Sequence, residues 1–156
     1  MKNIRYASVG LSEREILCEQ NLVIYITECQ NNCVGCHTPY MHDKYGDYLS
    51  DYFDEIFETY KSYITCVCFM GEGLNSNLTR KELIDYCRVI HQNGKKTALY
   101  SGRDCDIEDW MYCFDYVKTG SYQKEYGSLV FPTTNQKLYK KQNNKFENIT
   151  SIFWNN

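Results

Sequence analysis

The sequence has no apolar run approaching the ~20 residues that span a bilayer, and its opening MKNIRYASVG carries no apolar signal segment. A membrane role is therefore not expected, and a cytoplasmic address is. Positive charge is also short. Seventeen Lys and Arg against 20 Asp and Glu leave a formal net charge of −3, which gives no electrostatic case for nucleic acid or an anionic membrane surface. Internal repeats and low-complexity linkers are missing too. With 43% hydrophobic and 24% charged residues over 156 positions, the chain reads as one globular domain, 1–156, able to bury a core.

Cysteine, by contrast, is abundant at nine residues. An odd number without a signal segment argues against a secreted disulfide scaffold, and clustered thiols in a reducing compartment are metal ligands or catalytic groups. Three of them, Cys29, Cys33 and Cys36, fall within CQNNCVGCH. The other six (Cys18, Cys66, Cys68, Cys87, Cys105, Cys113) are scattered, and most of them are expected to behave as small buried hydrophobes.

NLVIYIT (21–27) is a near-continuous apolar run with β-branched residues, the pattern of a strand buried on both faces, and the cysteine loop follows at once. SDYFDEIFETYK (50–61) spaces Phe53, Ile56, Phe57 and Tyr60 for an amphipathic helix with Ser50 as its N-cap. ITCVCFM (64–70) reads as a second buried strand. In 78–94 a Thr79–Glu82 capping box, a stripe of Leu83, Cys87 and Ile90, and Gly94 as a stop predict a second helix. KTALYSG (96–102) and FDYVKTG (114–120) predict two more strands, separated by a short helical stretch around Trp110. Beyond residue 121 a loop runs into a strand at KLYKK, and NITSIFW suggests a terminal strand. Strand–helix–strand alternation predicts an α/β fold with a parallel sheet. Three strand ends carry glycine: GEG at 71–73, SG at 101–102 and TG at 119–120. In parallel sheets the ligand site lies at that carboxyl edge, where the cysteine loop is also expected.

What three thiols can hold follows from their number. Structural zinc takes four ligands, usually as two separated pairs; no second pair exists here, although His37 or His42 could supply a fourth ligand. A [4Fe–4S] cluster bound by three thiolates keeps one iron open for an exchangeable ligand. A zinc-stabilised binding module and a site-differentiated iron–sulfur protein both remain open on chemistry alone.

The Cx3CxxC motif after the first buried strand resembles that of the radical S-adenosylmethionine (SAM) superfamily. CVGCH, ITCVCFMGEG, KTALYSGR, FDYVKTGSY and PTTNQKLY, in this order over roughly 21–140, are similar to the short activating enzymes of anaerobic (class III) ribonucleotide reductases. The resemblance implies a curved, mostly parallel sheet flanked by helices, an incomplete TIM-like barrel. It implies an oxidoreductase that reductively cleaves SAM at a [4Fe–4S] cluster and generates a glycyl radical on the reductase, fed by a flavodoxin-like electron donor. Activation of another glycyl radical enzyme, or a small substrate, are the neighbouring readings. Cys29, Cys33 and Cys36 would ligate the cluster, and the backbone of Gly35, Cys36 and His37 would pass near the adenine. Gly71, Glu72 and Gly73 would cradle the methionine amino group, with Glu72 either touching it or pointing to solvent. Ser101 and Gly102 would lie near the ribose. Lys118 matches a strand-end polar residue, and Asn135–Gln136 a late Asn-Gln motif. Two positions depart from the family pattern: Glu28 stands where glycine is usual, and the acid of GEG comes one residue early.

The fifteen tyrosines read as packing rather than radical relays, His42 and His91 have no sequence partner suggesting acid–base work, and KKQNNK reads as a solvated turn.

Overall fold

A computed structural model describes residues 2–30 and 43–154. Among them the chain forms β1 (Arg5–Ser12), β2 (Asn21–Ile26), β3 (Asp47–Tyr48), α1 (Leu49–Tyr60), β4 (Cys66–Met70), α2 (Asn77–Gln92), β5 (Lys96–Tyr100), β6 (Tyr116–Thr119), β7 (Lys137–Gln142) and β8 (Lys145–Asn148). All eight strands join one sheet in the order β3-β1-β2-β4-β5-β6-β7-β8. No helix among the described residues is long and apolar enough to cross a membrane.

The expected architecture, a mostly parallel sheet flanked by helices in an incomplete TIM-like barrel, is not what the chain forms. The sheet is mixed. β2, β4, β5 and β6 pair in parallel, but β1 with β2, β1 with β3, β6 with β7 and β7 with β8 pair antiparallel. Parallel neighbours need a long crossover, whereas antiparallel ones need only a turn. The β2–β4 and β4–β5 connections carry a helix each, the β5–β6 connection only a 3-10 turn at Asp109–Cys113. The remaining strands extend the sheet at both sides without adding helices.

Both helices cover the same face. Leu22, Ile24 and Ile26 of β2, Val67 and Phe69 of β4, Leu99 and Val117 meet Phe53 and Phe57 of α1 and Leu83, Tyr86 and Ile90 of α2. Phe53 stacks on Tyr86 with ring centroids 4.3 Å apart. Among the described residues the opposite face, with Val23, Cys66, Cys68, Ala98 and Leu138, is covered without any α-helix, by Ile16, Leu129 and Phe153 from irregular or 3-10 segments. Alternate residues of β2 and β4 thus enter two different cores, which is why both strands read as unbroken apolar runs.

Local signals differ in detail. Tyr48, not Ser50, precedes α1 and makes no side-chain cap. The box on α2 is formed by Ser76 and Thr79, with Ser76 Oγ accepting from Thr79 N at 3.1 Å, because Glu82 is buried and accepts from Asn3 N and Tyr86 Oη instead. Gly94 takes φ +73° beyond α2. KKQNNK lies mostly in strands, residues 140–142 ending β7 and Lys145 opening β8; only Asn143 and Asn144 form the hairpin turn, at φ +51° and +59°, the left-handed pair that tight hairpins require. The expected terminal strand is instead a 3-10 turn over Thr150–Phe153.

Candidate functional site

Because β2, β4, β5 and β6 run in parallel, their carboxyl ends share one edge. The segment beginning at Thr27, the loop 71–73, the loop 101–103 and Gly120 leave the sheet there in sequence. The strand ends are stitched to each other. Gly71 N donates to Tyr100 O at 3.0 Å, Ser101 N to Lys118 O at 2.8 Å, and Gly120 N to Arg103 O at 2.7 Å. A Cβ on Gly71 would lie 3.6 Å from Ile26 O, and one on Gly73 3.7 Å from Thr27 O, so GEG rests against the residues just before Cys29. Those are ordinary contacts. The glycines are required instead by φ of +115° and +58°. At Gly120 both reasons apply: φ is +102°, and a Cβ would come within 2.9 Å of Gln136 Cα.

Cys29 is half-buried in the segment that follows β2. Cys33, Gly35, Cys36, His37 and His42 lie outside the described residues. No group of three or more His, Cys, Asp or Glu side chains among the described residues could hold a metal. Cys29, Cys33 and Cys36, three soft thiols within eight residues of sequence, are ligand types that suit an iron–sulfur cluster as well as zinc. Cys66, Cys68 and Cys87 are buried, and burial pushes their thiols up. Cys105 and Cys113 are half-buried and Cys18 is exposed, so the expectation of small buried hydrophobes holds for three of the six.

Glu72 does not point to solvent. It is 5% exposed, and its Oε2 accepts from Arg103 Nε at 2.8 Å and Ser101 Oγ at 3.0 Å while Oε1 accepts from Arg103 Nη2 at 2.8 Å. The other side of the Arg103 fork donates to Glu108, from Nη1 at 3.0 Å and Nη2 at 2.7 Å. Trp110 Nε1 donates to Glu108 Oε1 at 2.8 Å, and Arg80 of α2 lies 3.7 Å from the same oxygen. Hydrogen bonds from Arg103, and then from Trp110, hold the Glu108 carboxyl at about 2, while those to Glu72 and Glu108 push the guanidinium up. Arg103, Glu108 and Arg80 were not singled out from the sequence. The only signal was an arginine two residues after Ser101 in KTALYSGR, followed by the acids Asp104, Asp106, Glu108 and Asp109.

Lys118 is buried on β6. Its Nζ donates to Ser101 O at 3.1 Å and Gly120 O at 2.8 Å, 5.8 Å from the Tyr100 ring centroid. Ser101 is fully buried and Gly102 half-buried. Asn135 Nδ2 donates to Ser121 O at 3.0 Å and Gln136 Nε2 to Gly120 O at 3.4 Å, so the late Asn-Gln pair meets the β6 strand end. A cleft of about 350 Å³ reaches this edge on the face opposite α1 and α2, where Arg14, Glu15 and Lys118 line it together with Met70, Tyr100 and Leu129. A second, of about 360 Å³, lies between Asp104, Cys105, Gly120 and Asn135. Of the predicted residues that are described, the structure therefore brings Gly71, Glu72, Gly73, Ser101, Gly102 and Lys118 together, with Cys29 on the neighbouring strand end.

His91, unassigned from the sequence, has a partner: Nε2 lies 3.0 Å from Asp115 Oδ2. Both sit at the opposite edge of the sheet, where β5 and β6 begin, so the pair belongs to packing there. No family model, no curated protein and no solved structure matches this chain.

Proposed function

We propose that this protein is a radical SAM activating enzyme that generates a glycyl radical on an anaerobic ribonucleotide reductase. The observation that carries the reading is the convergence of Gly71–Gly73, Ser101–Gly102, Lys118 and the Cys29 segment on one sheet edge, in a chain whose sequence places Cys29, Cys33 and Cys36 within eight residues. Held by these residues, a [4Fe–4S] cluster would pass one electron from an external donor to SAM, giving methionine and, after hydrogen transfer from the partner glycine, 5′-deoxyadenosine. Cys29, Cys33 and Cys36 hold the cluster. The main chain at 71–73 accepts hydrogen bonds from the ammonium of the methionine moiety, and Ser101–Gly102 lies by the ribose. For Gly35, Cys36 and His37 the role beside the adenine is what the resemblance implies. Lys118 contributes positive charge at the strand ends. A flavodoxin-like protein is the electron donor, and the address is cytoplasmic.

The test is anaerobic reconstitution followed by iron and sulfide analysis, then chromatography for 5′-deoxyadenosine after dithionite. Electron paramagnetic resonance of a mixture with the reductase follows the glycyl radical. Cys29→Ala should lose iron while Cys66→Ala and Cys105→Ala keep it. A colourless protein that binds stoichiometric zinc, or a full cluster that yields no nucleoside with or without the reductase, would sink the reading. A radical on a different glycyl enzyme would correct only the partner.

A further inference from the structure

Glu72 occupies the middle of the loop assigned above to the ammonium, yet its carboxylate is already committed. It is buried, and the hydrogen bonds from Arg103 and Ser101 engage both oxygens. Arg103 in turn spans two carboxylates: its planar fork meets Glu72 on one side and Glu108 on the other. Glu108 is fixed by Trp110 and approached by Arg80, whose Nε donates to Asn75 Oδ1 at 3.0 Å and whose guanidinium lies 5.2 Å from the Trp110 ring centroid. Asn75 itself is left-handed at φ +53° and donates its N–H to Glu72 O at 3.0 Å. Glu72, Asn75, Arg80, Arg103, Glu108 and Trp110 thus form one polar network. It ties the loop after β4 and the first turns of α2 to the loop after β5. At the centre of it are two glycines in left-handed conformations, which fix the directions of the carbonyls only if the loop is clamped.

We propose that Arg103 is a positioning residue for the amino-acid end of SAM. It acts through Glu72 to hold the 71–73 main chain in the conformation that receives the ammonium, and Glu72 does not touch the ligand. The proposal rests on the function read above. A bidentate guanidinium–carboxylate pair suits this because it fixes orientation as well as distance. The departure of GEG from the family pattern then has a physical meaning: the acid serves the loop's shape, and recognition falls to backbone groups.

The experiment measures binding of SAM and of 5′-methylthioadenosine, which lacks the amino-acid end, to reconstituted wild-type protein and to Arg103→Gln, Arg103→Lys, Glu72→Gln and the double variant Glu72→Gln/Arg103→Gln. Arg103→Gln and Glu72→Gln should each weaken SAM by about tenfold or more, the worth of one charge-assisted hydrogen bond. Both should leave 5′-methylthioadenosine within about twofold, and the double variant should be no worse than either single one, as expected for residues acting as a unit. Arg103→Lys keeps the charge without the fork and should recover only part of the SAM affinity. Amide hydrogen exchange at residues 71–76 of the cluster-free protein should quicken in Arg103→Gln. A loss in Glu72→Gln with none in Arg103→Gln would mean that the carboxylate touches the ligand, and overturns the proposal. Equal losses for both ligands would reduce Arg103 to general packing and overturn it as well. If Arg103→Gln does not fold, Arg103→Lys and the isosteric Glu72→Gln decide by the same ligand contrast. A wild-type protein that holds iron yet binds neither ligand overturns the function reading and the proposal with it; wild-type binding with unaffected variants overturns the proposal alone.

Discussion

The carboxylate of Glu28 lies 3.3 Å from Nε of Arg5, while the backbone of Glu28 sits at φ +64°. Arg5 is itself held by Gly46 O and Tyr48 Oη, each at 2.9 Å, and its guanidinium lies 4.1 Å from the Tyr48 ring centroid. Glu28 is the residue immediately before Cys29, at the position where the resembling family places glycine. The conformation that glycine would adopt freely is thus retained, and an ion pair to β1 accompanies it. Since a left-handed L-residue costs roughly 1–2 kcal/mol, Glu28→Ala should be about 1 kcal/mol less stable than Glu28→Gly, because both lose the ion pair and only alanine keeps the strain. Urea unfolding of the cluster-free protein measures the difference, and equal midpoints would remove the strain from the account.

Gly120 and Gly94 separate two reasons for glycine. Both have positive φ, +102° and +73°, but a Cβ on Gly94 meets nothing within 4 Å, whereas one on Gly120 lies 2.9 Å from Gln136 Cα and 3.2 Å from Asn135 O. Gly94→Ala should cost about 1 kcal/mol for its backbone alone. Gly120→Ala adds a collision with main chain that cannot rotate away, and should cost about 2 kcal/mol or more. Equal urea midpoints for the two variants would refute the close approach of the Asn135–Gln136 segment to the β6 strand end.

At the opposite edge of the sheet, Glu19 is buried and accepts from Thr65 Oγ1 at 2.7 Å, Tyr116 Oη at 2.8 Å and Lys96 Nζ at 2.9 Å. It anchors the segment between β1 and β2 to the starts of β4, β5 and β6. Glu19→Ala leaves these donors without their acceptor and should lower stability by about 1.5–3 kcal/mol, the range for hydrogen bonds to a charged group. Iron content after reconstitution should not change, since this clasp lies at the far end of the strands from Cys29. Loss of iron at unchanged stability would contradict that placement.

Acid should weaken the fold through two carboxylates. Burial opposes ionisation of Glu19, but hydrogen bonds from Thr65, Lys96 and Tyr116 outweigh it and hold the carboxyl below its ordinary value near 4.5; Arg103 holds Glu108 at about 2. A folded-state value below the unfolded one stabilises the protein above the unfolded value, and the gain is lost as pH falls through the folded one. Stability should therefore decline between about pH 4.5 and 2. Glu108→Gln, whose side chain does not titrate, should make that decline shallower. Urea midpoints of wild type and variant across this interval provide the check, and parallel curves would show that Arg103 does not hold the Glu108 carboxylate as described.

What the sequence determined by itself is what short-range physics encodes. The unbroken apolar runs at 21–27 and 64–70 placed β2 and β4, since residues alternating between two buried faces leave no polar position. The Phe53–Phe57 and Leu83–Cys87–Ile90 spacings placed the two helices, and the glycine-bearing ends of β4, β5 and β6 marked the edge where they would converge. The outer strands were hidden for a related reason: Arg5–Ser12 has no fully buried residue and Lys145–Asn148 is largely exposed, so neither shows an apolar run. Without them the alternation suggested a helix-flanked parallel sheet. Only the tertiary structure decided that hairpin partners extend that sheet into a mixed one with α1 and α2 on the same face, because strand pairing depends on which backbone edges are left open. It also decided the setting of Glu72. Its partner Arg103 lies on the next strand's loop, and two charges 31 residues apart become neighbours only once β4 and β5 stand side by side.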